Sequence, residues 1–489
     1  MRDDEPPPNF FRPSPPRKKR AAPELRPAEV IAHVNGLDPD ADAPEPPAFS
    51  DDWLGLRFSE QYAASLRYVA AWGRWLVWDG QIWRRDGTLR AYDLVRRVIR
   101  AAGGETTDRE QREGLAAASK VAAIEKMVRS DRKHALTADA WDADPWMLNT
   151  PGGVVDLRTG DTLPHAPEYL MTKTTAVAPG HVSECPRWIE FLGRVTGGDL
   201  KLEAYLKRCA GYWLTGLTHE HAMWFLYGTG RNGKGVFLNT LSRIMGDYAM
   251  TASPDTFTEE GRNRHLTVLA RLQGARLVIS QETEEGVPWA EARIKSVTGG
   301  DPITANFMRQ DPFTYLPQFK LAIAGNHKPG LRSVDQAIRA RLNLTPFTVT
   351  IPPSERDPGL SEKLWAEAPG ILAWMLEGCH DWRHARLMPP EAVTGATEEY
   401  FESEDMTALW LEDCLERNPN GSELSGHLFK SWSAWALERG EKPGTHKAFS
   451  RTLERHGFTT SRKTEKGRLV KGLEFPPPPR PNSETEYDR

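Results

Sequence analysis

Cysteine is scarce in this chain. The four residues, Cys185, Cys209, Cys379 and Cys414, stand too far apart for a zinc knuckle or a CxxC redox pair, and reduced thiols are expected in place of a disulfide framework. No run of about 18 apolar residues is present and mean hydropathy is −0.56, which excludes a helical membrane span. The opening MRDDEPPPNF has neither the basic start nor the apolar core of a secretory signal, so the expected location is the cytoplasm, with no membrane partner. An excess of one charge is also missing: 63 basic against 67 acidic residues leave −4, so any surface for nucleic acid must be local.

What is there suffices for about three domains. Residues 1–50 hold twelve prolines and the cluster Arg17-Lys18-Lys19-Arg20, and read as a disordered arm whose basic cluster is either a solvated charge run, the commoner case, or a contact for DNA or a partner. Residues 51–185 read as an α+β accessory domain. In it WLVWDGQIWRRDG predicts a hairpin turning at Asp79-Gly80, the span from Tyr92 to Val128 predicts helices broken at Gly103-Gly104, and Pro145 to Gly153 predicts loop. The tryptophans there read as core.

Residues 186–398 begin with two helical stretches and continue with apolar strands at Ala222–Tyr227, Arg276–Ser280, Phe319–Ala324 and Arg341–Phe347. Strands apolar throughout and separated by helices predict a parallel sheet covered on both faces, hence an α/β fold. Residues 399–475 predict three short amphipathic helices (Ala408–Leu415, Leu424–Leu437, Lys447–His456) followed by a strand-turn-strand around Lys466-Gly467, the pattern of a winged helix. Residues 476–489 form a second disordered tail.

The chemistry is concentrated after the first apolar strand. Gly228, Thr229, Gly230, Arg231, Asn232, Gly233, Lys234, Gly235 and Val236 spell GxxxxGK between a strand and a helix. In that context glycines let backbone N–H groups converge on phosphates, the helix N-terminus favours their charge, and the lysine reaches the β and γ phosphates. ATP with Mg²⁺ is the expected cofactor. Gly235 replaces the hydroxyl residue that holds Mg²⁺ in this pattern, so that donor must be a water or another side chain.

A hydrolytic site also needs an acid at a neighbouring strand end, and Glu282, 48 residues after Lys234, is the candidate base and metal ligand. Glu284 and Glu285 read as the start of a helix capped by Thr283. Asn326, after the third strand, is placed to orient water, and Arg339 and Arg341 precede the last strand, where one would serve as an arginine finger across a subunit interface.

The sequence GTGRNGKGVFLN, RLVISQETEEG, RIKSVTGGDPITANFMRQDPF, FKLAIAGNHKP and AIRARLNLTPF resembles, in order and within 114 residues, superfamily 3 helicases of the phage, plasmid and poxvirus primase-helicase type. The resemblance covers about residues 51–475. It implies a P-loop NTPase core related to the AAA+ class, a homo-oligomeric ring, usually a hexamer, and translocation on single-stranded DNA with unwinding of duplex DNA. It also implies a channel hairpin at Ile303–Met308 and Phe313–Leu316 with Arg309 at its tip as a DNA contact, and Lys295 as a phosphate-sensing or interface residue. Asn306 and Ala340 depart from the arginines of the pattern. No acid cluster of a primase precedes the helicase segment, so any primase is expected to be a separate partner.

Between Lys442 and Lys471 nine basic residues face two acids. Lys447, Arg451 and Arg455 share a helix face, and Arg462, Lys463, Lys466, Arg468 and Lys471 fall on the wing, which suits backbone phosphate contacts. The expectation is an ATP-dependent DNA helicase of a phage, prophage or plasmid. Its rivals are a nucleotide-gated DNA-binding loader or regulator with little turnover, and a small-molecule kinase, for which no lid is visible.

Overall fold

The computed structural model describes residues 44–258, 265–281, 289–306, 312–328, 330–331, 336–440, 443–461 and 467–476. Most of the N-terminal arm, the C-terminal tail, Glu282 to Glu285, Arg309, Arg462, Lys463 and Lys466 lie outside them. None of the described helices is long and apolar enough to cross a membrane. The chain divides into two compact units, residues 1–144 with 165–172, and residues 145–164 with 173–489.

In the first unit, helix α1 (Asp51–Tyr62) is started by Ser50, whose hydroxyl accepts from the Trp53 amide. Strands β1 (Leu66–Val69), β2 (Arg74–Trp78) and β3 (Trp83–Arg85) form an antiparallel meander. Helices α2 (Arg90–Glu105), α3 (Arg109–Leu115) and α4 (Ala118–Val128) follow, and β4 (Ala135–Leu136) returns parallel to β1, giving the order β3-β2-β1-β4. Alternation sorts the strands: Leu66, Tyr68, Trp75 and Val77 pack with Leu54, Phe58, Val95 and Ile124, while Val69, Leu76 and Trp83 meet Trp141 and Leu170. Trp75 and Trp83 are thus core, as read from the sequence. The β2–β3 hairpin is also as read, although its turn spans four residues: the Asp79 carboxylate accepts from the amides of Gln81 and Ile82 and sets a longer loop. Helix α2 runs through Gly103-Gly104 to Glu105, because Val95, Val98, Ile99 and Ala102 hold its face to the core.

The second unit opens with a three-stranded antiparallel sheet, β5 (Met147–Thr150), β6 (Gly153–Asp156) and β7 (Thr162–Leu163), where the sequence had suggested loop; Pro151-Gly152 is its tight turn. Helix α5 (Pro186–Thr196) ends at Gly197 in the left-handed region, and α6 (Leu200–Leu214) is capped by Asp199. Then come β8 (Met223–Tyr227), α7 (Lys234–Met245), β9 (Ala249–Thr251), α8 (His265–Arg271), β10 (Leu277–Gln281) and α9 (Glu291–Thr298). The antiparallel pair β11 (Ile303–Ala305) and β12 (Phe313–Tyr315) precedes β13 (Lys320–Gly325), α10 (Gln336–Arg339) and β14 (Leu342–Pro346).

Strands β14-β8-β13-β10-β9 form one sheet, parallel throughout. Both faces are covered. Trp224, Leu226, Leu277, Ile279 and Ala322 join a core with α5, α6 and α7, and Met223, Phe225, Val278, Leu321 and Leu344 join a second core on the other side. Helices α11 (Leu360–Ala366) and α12 (Ala368–Ala385) pack beneath, and α12 crosses α6 so closely that a Cβ at Gly211 would overlap the backbone of Gly378 and Cys379.

Helix α13 (Glu391–Glu404) leads to α14 (Met406–Cys414), β15 (Glu416–Leu424), α15 (Ser425–Glu438), α16 (His446–Arg455), β16 (Thr459–Thr460) and β17 (Leu469–Glu474). The three helices were expected. Strand β15 was not, because Asn418-Pro419-Asn420-Gly421 reads as a turn; the structure absorbs it as an irregularity in the pairing with β17 between Arg417 and Ser422. Trp410, Leu428, Trp432, Phe449, Leu453, Val470 and Leu473 form the core of this part.

Candidate nucleotide site and nucleic-acid surfaces

The carboxyl ends of β8, β13 and β10 lie side by side, with Leu226 opposite Ala324 and Ala324 opposite Gln281. The loop Gly228–Gly233 leaves β8 there and enters α7 at Lys234. Its backbone takes positive φ at Gly230 (96°), Arg231 (52°) and Gly233 (84°), left-handed conformations of the kind found in anion-binding loops. Gly228 is obligatory for a different reason: a Cβ would collide with the Phe347 carbonyl and the Asn232 amide.

Lys234 is only 6% exposed and its amine is held by three oxygens, the Gly228 carbonyl at 2.8 Å, Asn232 Oδ1 at 3.0 Å and Asn326 Oδ1 at 3.2 Å. Burial pulls its pKa down to about 8. Asn232, 2% exposed, also donates through Nδ2 to the Phe347 carbonyl at 2.7 Å, so it ties the loop to the end of β14. Arg231 and Ile351 share a backbone hydrogen bond of 3.0 Å on the same side.

These residues fit a polyphosphate. The loop supplies left-handed turns, the α7 N-terminus and a lysine amine whose present partners are three oxygens. Among the described residues, added Cβ atoms at Gly230 and Gly235 would approach only Asn326 Oδ1 and Gln281 Oε1, each at 3.9 Å, which leaves room at the mouth of the loop. Among the described residues no group of three His, Cys, Asp or Glu is assembled to hold a metal ion. A cation there would be held jointly by the nucleotide and by these side chains; Glu282 lies outside the described residues.

The structure brings Lys234, Asn232 and Asn326 together and leaves both arginines elsewhere. Arg341 precedes β14 and its carbonyl accepts from the Met223 amide, at the start of β8, whereas the loop begins after Tyr227. Five residues of strand separate them, about 16 Å along the sheet. Arg341 donates through Nη1 to the Ala337 carbonyl at 2.7 Å, and its guanidinium lies beside Gly299 at the end of α9. Arg339 is exposed and stacks on Phe401 at 5.0 Å. Lys295, on α9, lies 3.8 Å from Glu291. Two residues escaped the sequence reading: Gln281, at the end of β10, and Asn239, on α7, joined by a 2.6 Å hydrogen bond from Gln281 Nε2 to Asn239 Oδ1.

Of the hairpin expected at Ile303–Met308 and Phe313–Leu316, the antiparallel pair β11 and β12 is present, with Ile303 opposite Tyr315; residues 307–311 lie outside the described residues. On α16, Lys447 and Arg451 are exposed on the face opposite the buried Phe449 and Leu453, and Arg468 and Lys471 are exposed around β17. Arg455 falls in the last turn of α16. Among the described residues none of Lys447, Arg451, Arg468 and Lys471 is paired with a carboxylate.

Residues 55–197 match the model described as D5 N terminal like, and residues 226–341 match a family of unknown function, DUF5906. The chain is 26% identical over 302 residues to the Acanthamoeba polyphaga mimivirus protein named "Putative helicase L207/L206", a match covering 57% of this chain and 31% of that one. It is 25% identical over 253 residues to "Putative helicase 022R" of Frog virus 3, covering 47% and 26%. The chain therefore spans about a third or less of these viral proteins. In fold it is similar to the apo structure of the NrS-1 C terminal region, with a TM-score of 0.50 at 12% identity, covering 88% of this chain and 100% of that one. The chain is thus similar, over two separate segments, to the D5 N terminal like and DUF5906 models, and over part of its length to two viral proteins named putative helicases.

Proposed function

We propose that this protein is an ATP-dependent DNA helicase of a phage, prophage or plasmid, working as a homo-oligomeric ring on single-stranded DNA. The observation that carries the reading is the buried Lys234 amine, held at the carboxyl edge of a parallel sheet by loop and strand-end oxygens that a triphosphate can replace. In this reading the segment around β8 to β14 is a P-loop NTPase core. Lys234 and the loop amides hold ATP, Asn326 orients the attacking water and Glu282 accepts its proton. Bound Mg²⁺ would neutralise developing phosphate charge.

Arg341 stands at the opposite edge from the loop of its own chain, which supports a role as an arginine finger on the nucleotide of a neighbouring copy, with Arg339 as its rival. Residues 399–475 read as a winged helix, whose exposed Lys447, Arg451, Arg468 and Lys471 would contact backbone phosphates of duplex or single-stranded DNA. Steady-state ATP hydrolysis with Mg²⁺, with and without single-stranded DNA, tests this. Stimulation by DNA that is lost in Lys234→Ala, Glu282→Gln and Arg341→Ala, with nucleotide still bound by Arg341→Ala, is expected. Wild-type turnover no faster than that of the variants would replace the motor by a nucleotide-gated loader or regulator.

A further inference from the structure

Resting on the nucleotide-binding reading, we infer that Gln281, held in orientation by Asn239, supplies the oxygen donor that Gly235 has lost, and so seats the divalent cation accompanying the nucleotide. Position 235 follows the phosphate lysine and opens the first turn of α7, where a serine or threonine would offer a hydroxyl. Glycine removes that oxygen and leaves space behind. Among the described residues, the heavy atom within 4 Å of a Cβ built at this position, apart from its own chain neighbours and helix backbone, is Gln281 Oε1, at 3.9 Å. A side-chain oxygen therefore already faces the place that a hydroxyl at 235 would occupy.

The amide is turned this way by its partner. Gln281 Nε2 donates to Asn239 Oδ1, and Asn239 lies four residues beyond Gly235, one turn along the same face of α7. With its N–H₂ group engaged there, the amide oxygen is left toward the loop mouth. An amide oxygen is a neutral, hard donor of the type that Mg²⁺ accepts, directly or through one of its retained waters. The strand fixes the distance: Gln281 is the end of β10, in register with Ala324, whose strand leads to Asn326 beside Lys234.

The test is a titration of free Mg²⁺ against binding of a fluorescent non-hydrolysable ATP analogue to the full chain, with EDTA as the metal-free reference. Gln281→Met should raise the Mg²⁺ midpoint roughly tenfold and leave metal-free binding unchanged. Asn239→Leu should raise it by a smaller factor. Gly235→Ser placed on the Gln281→Met background should bring the midpoint back, a rescue that a merely structural glutamine would not allow. If Gln281→Met does not fold, Gln281→Glu is the second variant and should lower the midpoint. An unchanged midpoint in Gln281→Met or Gln281→Glu, or a failed rescue, overturns the inference. Equal binding of the analogue by wild type and Lys234→Ala would instead overturn the nucleotide reading beneath it.

Discussion

Lys234 and Lys320 are both buried lysines, set at opposite ends of the strands of the same parallel sheet, Lys234 opening α7 beyond the carboxyl ends and Lys320 starting β13. Lys234, at the carboxyl edge, contacts one carbonyl and two side-chain amides beside the N-terminus of α7. Lys320, 2% exposed at the start of β13, donates to the carbonyls of Thr215 and Gln318 and lies 5.0 Å over the Tyr212 ring. Beside it the buried Arg276 donates to the Leu214 and Met147 carbonyls, both at 2.6 Å. This pair closes the C-terminus of α6, whose last carbonyls have no partner within the helix. Burial lowers both lysine pKa values, Lys320 well below the ordinary range. A buried cation is therefore not in itself a sign of function; what separates the two is whether its acceptors are needed to close the fold or can be given up to a ligand.

The comparison can be broken by substitution. Arg276→Ala, which strands two buried carbonyls and opens a cavity, should cost about 3–5 kcal/mol in urea unfolding and leave the nucleotide affinity of the folded fraction intact. Lys234→Ala should do the opposite, lowering nucleotide affinity about 100-fold, or about 2.7 kcal/mol, with the unfolding midpoint nearly unchanged. Equal destabilisation by both would remove the distinction. Gly211→Ala, which forces α6 and α12 apart, should cost about 1–3 kcal/mol and mark the lower edge as the more rigid one.

The smallest effect sharpens the role of Lys234. Its pKa of about 8 in the free protein should rise when a polyanion binds, so binding takes up a proton wherever the free amine is neutral. Affinity should therefore be flat well below pH 8, bend near it and fall above it, by at most about tenfold per pH unit. Isothermal titration between pH 7.5 and 9.5 measures this, and Lys234→Arg should flatten the profile, because its guanidinium stays charged across that range.

Much of this was legible in the sequence for identifiable reasons. Four strands of the parallel sheet are largely apolar, and the loop carries glycines at Gly230 and Gly233, where φ is positive. The rest was hidden because burial and partnership are three-dimensional. Arg276 and Lys320 look like ordinary charges flanking strands until α6 is seen to end above them. Gln281 and Asn239 are unremarkable amides 42 residues apart, and β15 is disguised by its Asn-Pro-Asn-Gly insert.

The separation of Arg341 from Lys234 also bears on control. If each nucleotide is completed by an arginine from the next copy, catalytic power belongs to the contact between chains and to no chain alone. Specific activity would then rise with protein concentration, and dilution would silence the enzyme without any inhibitor. Mixing two inert variants, Lys234→Ala and Arg341→Ala, would restore turnover, because one lends its arginine and the other its loop.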